Sequence, residues 1–594
     1  MTVVTAITPP VAIPDRLRAL VRKSEVGIAI LAAVVGAIAG LLVAGMEIIA
    51  QSLHIVLFGL EPGDRLSGST HIDPVAALTV PVVGGILLGI LGIAIARYSP
   101  RRAVDPIEAN ALHGGRMSVR DSVVVAFQTL ISNGFGASVG LEAGFTQIAS
   151  GFASRLGIAF GLRRADMRVL VGCGAAGAIA AAFAAPLTGA FYAFELIIGT
   201  YTAAALAPVL TSAIVAVLVS HMVGAGSYDI SVGSLSAFRN ADLPHFLLLA
   251  IICAGIGILI MRAVTLVELA FRRSRLPTAI QPAIGGLILG GLALVSPQVL
   301  SSGHGGLRLT LDATLPALGP VLLVLVLKAA AASISLGSGF RGGLFFASLF
   351  LGALAGKLYA IIAFAVMPGL APDPLVATII GMTAMAVAVV GGPLTMSFLA
   401  LEVTRDLPVT LAVIAVAVVS TATVREFFGY SFATWRLHLR GETIRSAHDV
   451  GRIRALTVGR LMRRDVRTIR SDAKVSTVRR DFPLGSTQRV VVLDAAERYA
   501  GIALIAEIHS LELNGEADTR TIGEFLHYRG EVLEPSMNIK DAMRLFDRSE
   551  SEALAVVESV SSGKVIGLLT EAHALRRYAE ELDRVRRDLI GAGG

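Results

Sequence analysis

The chain has 594 residues, of which 54% are hydrophobic and only 16% charged, and its mean hydropathy is +0.73. Soluble proteins carry about 25% charged residues, so this composition excludes an ordinary soluble enzyme and fits a polytopic membrane protein. The formal charge of +7 belongs to the apolar part and its loops, because acidic and basic residues from Gly441 onward cancel; no nucleic-acid partner is implied.

In chain order, residues 1–24 read as a cytoplasmic N-terminal segment. Met1–Pro14 lacks the basic start of a signal peptide. The cluster from Arg16-Leu17-Arg18 to Arg22-Lys23 directly precedes the first long apolar run and is expected on the cytoplasmic side. Residues 25–439 then form a membrane body. Apolar runs near the spanning threshold of about 18 residues recur at Val26–Ile49, Val75–Ala96, Leu206–Val219, Phe246–Met261, Ala279–Val295, Leu318–Ala332 and Val409–Val424. Glycine-broken runs lie among them. Breaks at membrane depth are tolerated only where backbone is buried in protein or lines a polar cavity. A chain with 62 glycines, many in such breaks, is expected to enclose a path for something polar. Cys173 and Cys253 sit in apolar segments and read as small buried hydrophobes.

The body writes one motif twice. Pro186-Leu187-Thr188 leads to Glu195, and Pro393-Leu394-Thr395 leads to Glu402. A phenylalanine (Phe191, Phe398) and a preceding glycine (Gly174, Gly381) keep the same spacing in both copies. This is the mark of a duplicated unit with a central site between its halves. Matching acids in a repeat point to a shared structural role, such as bonding free amides, rather than to two ion sites.

Outside that motif, Gly136 to Gln147 sets Glu142 in a glycine-rich break followed by a helical pattern. An ionisable group there is expensive and marks an ion or proton path by default. Free N–H groups and the positive end of a helix dipole attract an anion, and Glu142 can occupy that place as a protonatable gate. The residues alone leave a second role open, that of capping its own helix. Gly342-Gly343-Leu344-Phe345-Phe346-Ala347 presents a comparable helix start in the second half, and two such starts facing each other would cradle an anion. Tyr430 reads either as a phenolic donor at the inner mouth or as an interfacial belt residue.

Residues 440–455 read as a linker, after which β-rich runs such as Arg489–Leu493 alternate with charged amphipathic stretches. This α/β tail repeats itself. Val458–Met462 recurs as Ile522–Leu526, and Tyr499–Ile502 as Val565–Leu568. Two small copies, 456–515 and 520–582, are expected to pack together. The tail resembles a pair of CBS domains, which often bind adenosine nucleotides. At the positions that would hold a ribose, the second copy has Thr570 and His573 and the first has Leu504 and Glu507. Both a nucleotide site and a purely structural, dimerising pair stay open.

The body resembles the CLC family of chloride channels and chloride/proton exchangers. Gly140-Leu141-Glu142-Ala143 is similar to its gating-glutamate segment, Gly343-Leu344-Phe345-Phe346-Ala347 to the segment whose amides bind the central anion, and Tyr430 falls at its anion-coordinating tyrosine. The two proline-to-glutamate stretches resemble its paired helices. The resemblance implies an all-α body of two inverted halves with broken helices. It further implies a multi-pass homodimer in the plasma (inner) membrane, contacting lipid, with chloride or another inorganic anion as cargo, cytoplasmic termini and no required cofactor. Arg102-Ala103-Val104-Asp105-Pro106 falls on the segment whose serine coordinates chloride, with Ala103 in the serine's place. Leu196 stands where exchangers place a second glutamate as a proton relay, which favours passive flow over exchange. A membrane metalloprotease would need a His-Glu-x-x-His helix, and a divalent-cation transporter would need clustered acids; the sequence has neither pattern. A CBS-regulated membrane sensor without flux is the alternative from another class.

Overall fold

The computed structural model describes residues 24–98, 102–224, 239–312, 314–439, 456–510 and 520–590, with single positions at 14, 18, 21 and 232. Most of the N-terminal segment 1–24 and all of the linker 440–455 lie outside the described residues. The chain divides into two compact units, residues 1–448 and 449–594.

The first unit is helical. Its first half contains α1 (Glu25–Phe58), α2 (Pro74–Tyr98), α3 (Pro106–Leu112), α4 (Val119–Gly134), α5 (Glu142–Phe160), α6 (Arg164–Phe183), α7 (Pro186–Tyr192) and α8 (Ala203–Met222). The second contains α9 (Leu243–Arg273), α10 (Gln281–Val295), α11 (His304–Thr310), α12 (Leu318–Ser338), α13 (Phe345–Val366), α14 (Pro374–Val390), α15 (Pro393–Thr404) and α16 (Leu407–Phe427), and α17 (Phe432–His438) follows. Among the described residues, eight helices are long and apolar enough to cross a membrane, so the chain is a multi-pass membrane protein. Two of them, α6 and α13, were not among the expected apolar runs. Both are rich in alanine and glycine, and their buried residues face protein rather than lipid. The expected run Ala279–Val295 forms the 15-residue α10, shorter than a straight membrane span of about 20 residues.

The duplication is visible in the packing. α1 lies on α8 as α9 lies on α16, and α5 lies on α6 as α13 lies on α14. Across the halves α2 meets α10 and α7 meets α15. The spaced glycines have a steric reason. A Cβ on Gly174 would stand 2.7 Å from the Ala149 carbonyl oxygen of α5, and one on Gly381 would run into the Gly352 carbonyl of α13. In each half a glycine lets two helices cross with their backbones nearly touching.

The repeated glutamates bond across the halves. Glu402 accepts from the Leu187 and Thr188 amides, both at 2.8 Å, and from the Thr188 hydroxyl at 2.6 Å. Glu195 accepts from the Leu394 and Thr395 amides at 2.9 and 2.8 Å and from the Thr395 hydroxyl at 2.6 Å. Each acid thus satisfies orphan amides at the start of the other half's proline helix. Phe191 stacks on Phe398 with centroids 4.1 Å apart. Reciprocal contacts of this kind belong to a twofold relation, and they place Glu195 and Glu402 in the scaffold. Glu195 itself sits in a π-helical turn, Ala193–Ile198, that continues α7.

The second unit holds α18 (Val458–Leu461), β1 (Thr468–Arg470), α19 (Val475–Asp481), β2 (Arg489–Leu493), β3 (Tyr499–Leu504), α20 (Ile505–Ser510), α21 (Ile539–Ser549), β4 (Ala553–Val557), β5 (Val565–Thr570) and α22 (Glu571–Ile590). β1 pairs parallel to β2, which pairs antiparallel to β3 with Val491 opposite Ile502. β4 and β5 form an antiparallel pair with Ala555 opposite Leu568. The two sheets fall one in 456–515 and one in 520–582, but the cores cross that division. Val458 and Leu461 pack with Leu533, Ile539, Phe546 and Val556, while Ile522 packs with Val475, Val490 and Ile508. The repeated segments at the head of each copy therefore seal the other copy's core.

Glu402→Ala strands two helix-start amides and a hydroxyl, so it is expected to cost about 2–3 kcal/mol of stability and to lower the unfolding temperature in detergent. Unchanged stability together with lost anion flux would instead make Glu402 part of the transport site.

Candidate functional site

The site lies where two helix starts meet. Gly136, at φ +85°, turns the chain after α4. The incoming strand then pairs with its counterpart: the Gly140 N–H donates to the Gly343 carbonyl at 2.9 Å, and the Gly343 N–H donates to the Gly140 carbonyl at 3.1 Å. Asn133 holds the same loop by donating to the Val139 carbonyl at 2.8 Å. Neither α5 nor α13 has a side-chain N-cap. First-turn amides of both helices are left for whatever occupies the space between them.

That space is occupied by the carboxylate of Glu142, the first residue of α5. The group is buried, and it is bonded by its own N–H and by the N–H of Phe346 at the start of α13. Its Oε2 has no hydrogen-bond partner among the described residues. The acid of one half thus sits in the amide cradle of the other. A Cβ on Gly140 would push the Glu142 carboxylate out of its present place, and a Cβ on Gly343 would lie 3.5 Å from Oε2.

Next to the carboxylate is a cavity of about 180 Å³. Seven of the residues picked out by sequence line it: Ala103, Glu142, Ala143, Leu196, Gly343, Leu344 and Phe345. Gly140, Leu141 and Phe346 stand behind its wall. Gly140 forms the bridge, Leu141 is buried, and the Phe346 ring stacks on Phe183 at 5.8 Å while its amide reaches Glu142. The Gln147 amide donates to the Val104 carbonyl at 2.9 Å, tying the 102–106 segment to α5. This sets Ala103 in the wall. Asp105 is used locally, capping α3 through the Ile107 N–H at 2.8 Å.

Tyr430 lies beside His438. Its hydroxyl lies 3.2 Å from His438 Nδ1 and its ring stacks on His438, away from the cavity lining. The reason is the helix start two residues on. Gly429 turns at φ +85°, Ser431 caps α17 in a reciprocal box with Thr434, and Phe432, the first helical residue, faces the cavity instead. The Ser-x-x-Thr spacing was the available signal.

Sequence reasoning also missed the charge of the lining. Arg102, Arg341 and Arg436 all border the cavity, with Asp105 as the counter-charge. The Arg341 Nε donates to Gln128 Oε1 at 3.3 Å, and the Arg436 guanidinium lies 5.8 Å from the Phe432 ring centroid. Arg341 directly precedes Gly342-Gly343, so a charge beside a membrane-depth break was the clue. Cationic walls leading to an amide cradle attract and concentrate anions. Tyr192, also in the lining, adds an aromatic face 6.0 Å from Phe345.

Comparison with known proteins agrees with this geometry. The profile described as "Voltage gated chloride channel" matches residues 84–425, and a CBS profile matches 531–580. A Ralstonia nicotianae protein named "Putative chloride channel protein ClcB-like" is 36% identical over 361 residues, covering 59% of this chain and 83% of that protein. The crystal structure of a slow cyanobacterial Cl−/H+ antiporter superposes with a TM-score of 0.61 at 23% identity, covering 70% of this chain and 97% of that one. A eukaryotic CLC transporter superposes with a TM-score of 0.60 at 17% identity, covering 94% and 98%. Since the family profile spans more than half of the chain and the bacterial relative is matched over most of its length, the chain belongs to the voltage-gated chloride channel family of membrane anion-transport proteins, with a CBS-containing C-terminal tail.

Proposed function

We propose that the protein carries chloride or a similar inorganic anion passively, one glutamate-gated pore per subunit of a homodimer, in the plasma (inner) membrane with both termini cytoplasmic. The observation that carries this reading is the Glu142 carboxylate lying in the amide cradle of the facing helix start. An anion bound there must displace it. Protonation removes the charge that competes with the anion and weakens the carboxylate's hold on the amides, so the gate opens as its own side of the membrane is acidified.

Leu196 borders the same cavity and offers no titratable group for a second proton step, which supports passive flow. Exchange is the alternative reading; the similar cyanobacterial protein is a Cl−/H+ antiporter, but likeness at that identity speaks for the fold alone. Ala103 supplies no hydroxyl to the anion, so selectivity rests on amides and on the arginine-lined approach. For the homodimer, α8 and α16 offer exposed apolar faces, including Leu206, Ile214, Leu218, Leu411 and Val418. These suit a second copy or lipid.

For the tail we infer a structural pairing role, because the first copy's acid, Glu507, is already engaged by His527 Nε2 at 2.6 Å. An adenosine nucleotide between the copies, with Thr570 and His573 beside it, is the other reading.

Three measurements test these statements. Purified protein in liposomes under a chloride gradient is expected to pass anions without stoichiometric counter-movement of protons. Coupled proton movement would establish exchange, and no flux at all would favour a sensor. Glu142→Gln is expected to make flux independent of external pH, whereas a retained wild-type profile would remove Glu142 from the gate. ATP or AMP is expected to leave the tail's unfolding temperature unchanged; a saturable rise would assign it a nucleotide.

A further inference from the structure

A second acid lies buried beside the gate, and the transport site does not use it. Glu47, in the middle of α1, is 5% exposed, and neither carboxylate oxygen has a hydrogen-bond partner among the described residues. A buried carboxylate without a partner costs several kcal/mol, so its persistence calls for a ligand. It borders a small polar chamber shared with His54, Arg65, Ser67, Asn133 and His304. The chamber volume is about 10 Å³, close to what one water molecule needs.

The chamber touches the gate structurally. Asn133 in its wall is the residue that holds the Val139 carbonyl, one position before the Gly140–Gly343 bridge. Met46, next to Glu47, packs where a Cβ on Gly144 would reach it at 3.1 Å, so α1 lies directly on the first turns of α5. Glu142 is near enough for the two acids to feel each other's charge. Also in the chamber wall, Arg65 donates to Gln51 Oε1 at 3.2 Å, and Gln51 donates to the Asp64 carbonyl on an exposed loop. The chamber is thus linked by hydrogen bonds to that loop and, through Asn133, to the gate.

We propose that Glu47, together with the single water its chamber admits, is a second proton-binding site coupled to the Glu142 gate. This rests on the gate reading above. The step is a proton transfer alone: an O–H bond of hydronium breaks as one forms at a Glu47 carboxylate oxygen, water is released, and no electrons change hands. The charged and titratable groups around Glu47 are His54 on its own helix, Arg65 on the loop, His304 on α11, Lys328 on α12 behind them, and Glu142 on α5. His54 is committed to the Asn133 carbonyl at 2.9 Å, His304 to the Ser302 hydroxyl, and Lys328 to the Val299 and Ser301 carbonyls at 3.1 and 2.7 Å. Glu47 is the carboxylate in the chamber wall, and neither of its oxygens has a hydrogen-bond partner among the described residues. With α1 packed directly on the first turns of α5, a proton on Glu47 is expected to alter the binding of the next one at Glu142.

The experiment is chloride flux from liposomes over a series of external pH values, for wild type, Glu47→Gln, Glu47→Asp and Glu142→Gln. Glu47→Gln removes the negative charge that helps draw a proton to its neighbour, so its pH profile is expected to move toward acid by about one pH unit, a tenfold change in proton concentration. Glu47→Asp keeps an acid and is expected to move it less. A Glu47→Gln profile that superimposes on wild type, or flux reduced by one factor at every pH, would overturn the inference. A flat Glu142→Gln profile beside an undisplaced Glu47→Gln one would sink this inference alone, whereas a Glu142→Gln profile like the wild type's would sink the gate reading. Should Glu47→Gln fail to fold, the infrared carbonyl band of protonated carboxylic acids is the second readout. A titrating band that survives Glu142→Gln and changes frequency in Glu47→Asp is expected, and its absence overturns the proposal.

Discussion

Backbone groups at membrane depth must find partners inside the protein, and in this chain each half finds them in the other. The Gly140–Gly343 pair closes two facing helix starts with two hydrogen bonds, and the motif glutamates close two more starts reciprocally. Broken helices, which in isolation would be costly in lipid, become stable as a pair. The breaks that remain open are those whose amides meet at the cavity, and the resident carboxylate fills them.

That economy explains the uneven role of the acids. Glu195 and Glu402 each meet two amides and a hydroxyl, a fixed and saturated arrangement. Glu142 meets amides from both halves yet keeps one oxygen without a hydrogen-bond partner among the described residues. A saturated carboxylate is scaffold, and an under-satisfied one in the same kind of amide field is free to be replaced by a competing anion. In the proposed function, the arginines of the lining act at longer range, drawing anions toward the cradle that the glutamate otherwise holds.

Much of this was legible in sequence because spacing survives duplication. The twin motifs, the glycines ahead of them, the position of Glu142 and the α/β repeat of the tail all follow from counting. What counting could not supply was partnership. Nothing in the spacing says that Glu195 reaches Thr395 rather than an amide in its own half, or that Val458 completes the core of the second tail copy. Helix α6 escaped because its alanines, glycines and charged first turn make it the least apolar of the eight, whereas α13 is as apolar as the rest and was passed over with Lys357 interrupting its run. Phe432 was passed over because the resemblance gave the stretch without the helix start that the Ser431 cap sets. Arg341 and Arg436 were passed over because they are far apart in sequence and meet only around the folded cavity.

The crossed glutamate bonds also bear on how the protein is made. Residues 187 and 188 leave the ribosome long before their acceptor, which lies 214 residues downstream of Thr188. Through that interval the first half carries an unsealed helix start in the bilayer, and it reaches its final form only when the second half arrives. The halves are therefore obligate companions in biogenesis. A truncated first half is expected to persist as an insertion intermediate and a target for membrane quality control, not as a small working carrier.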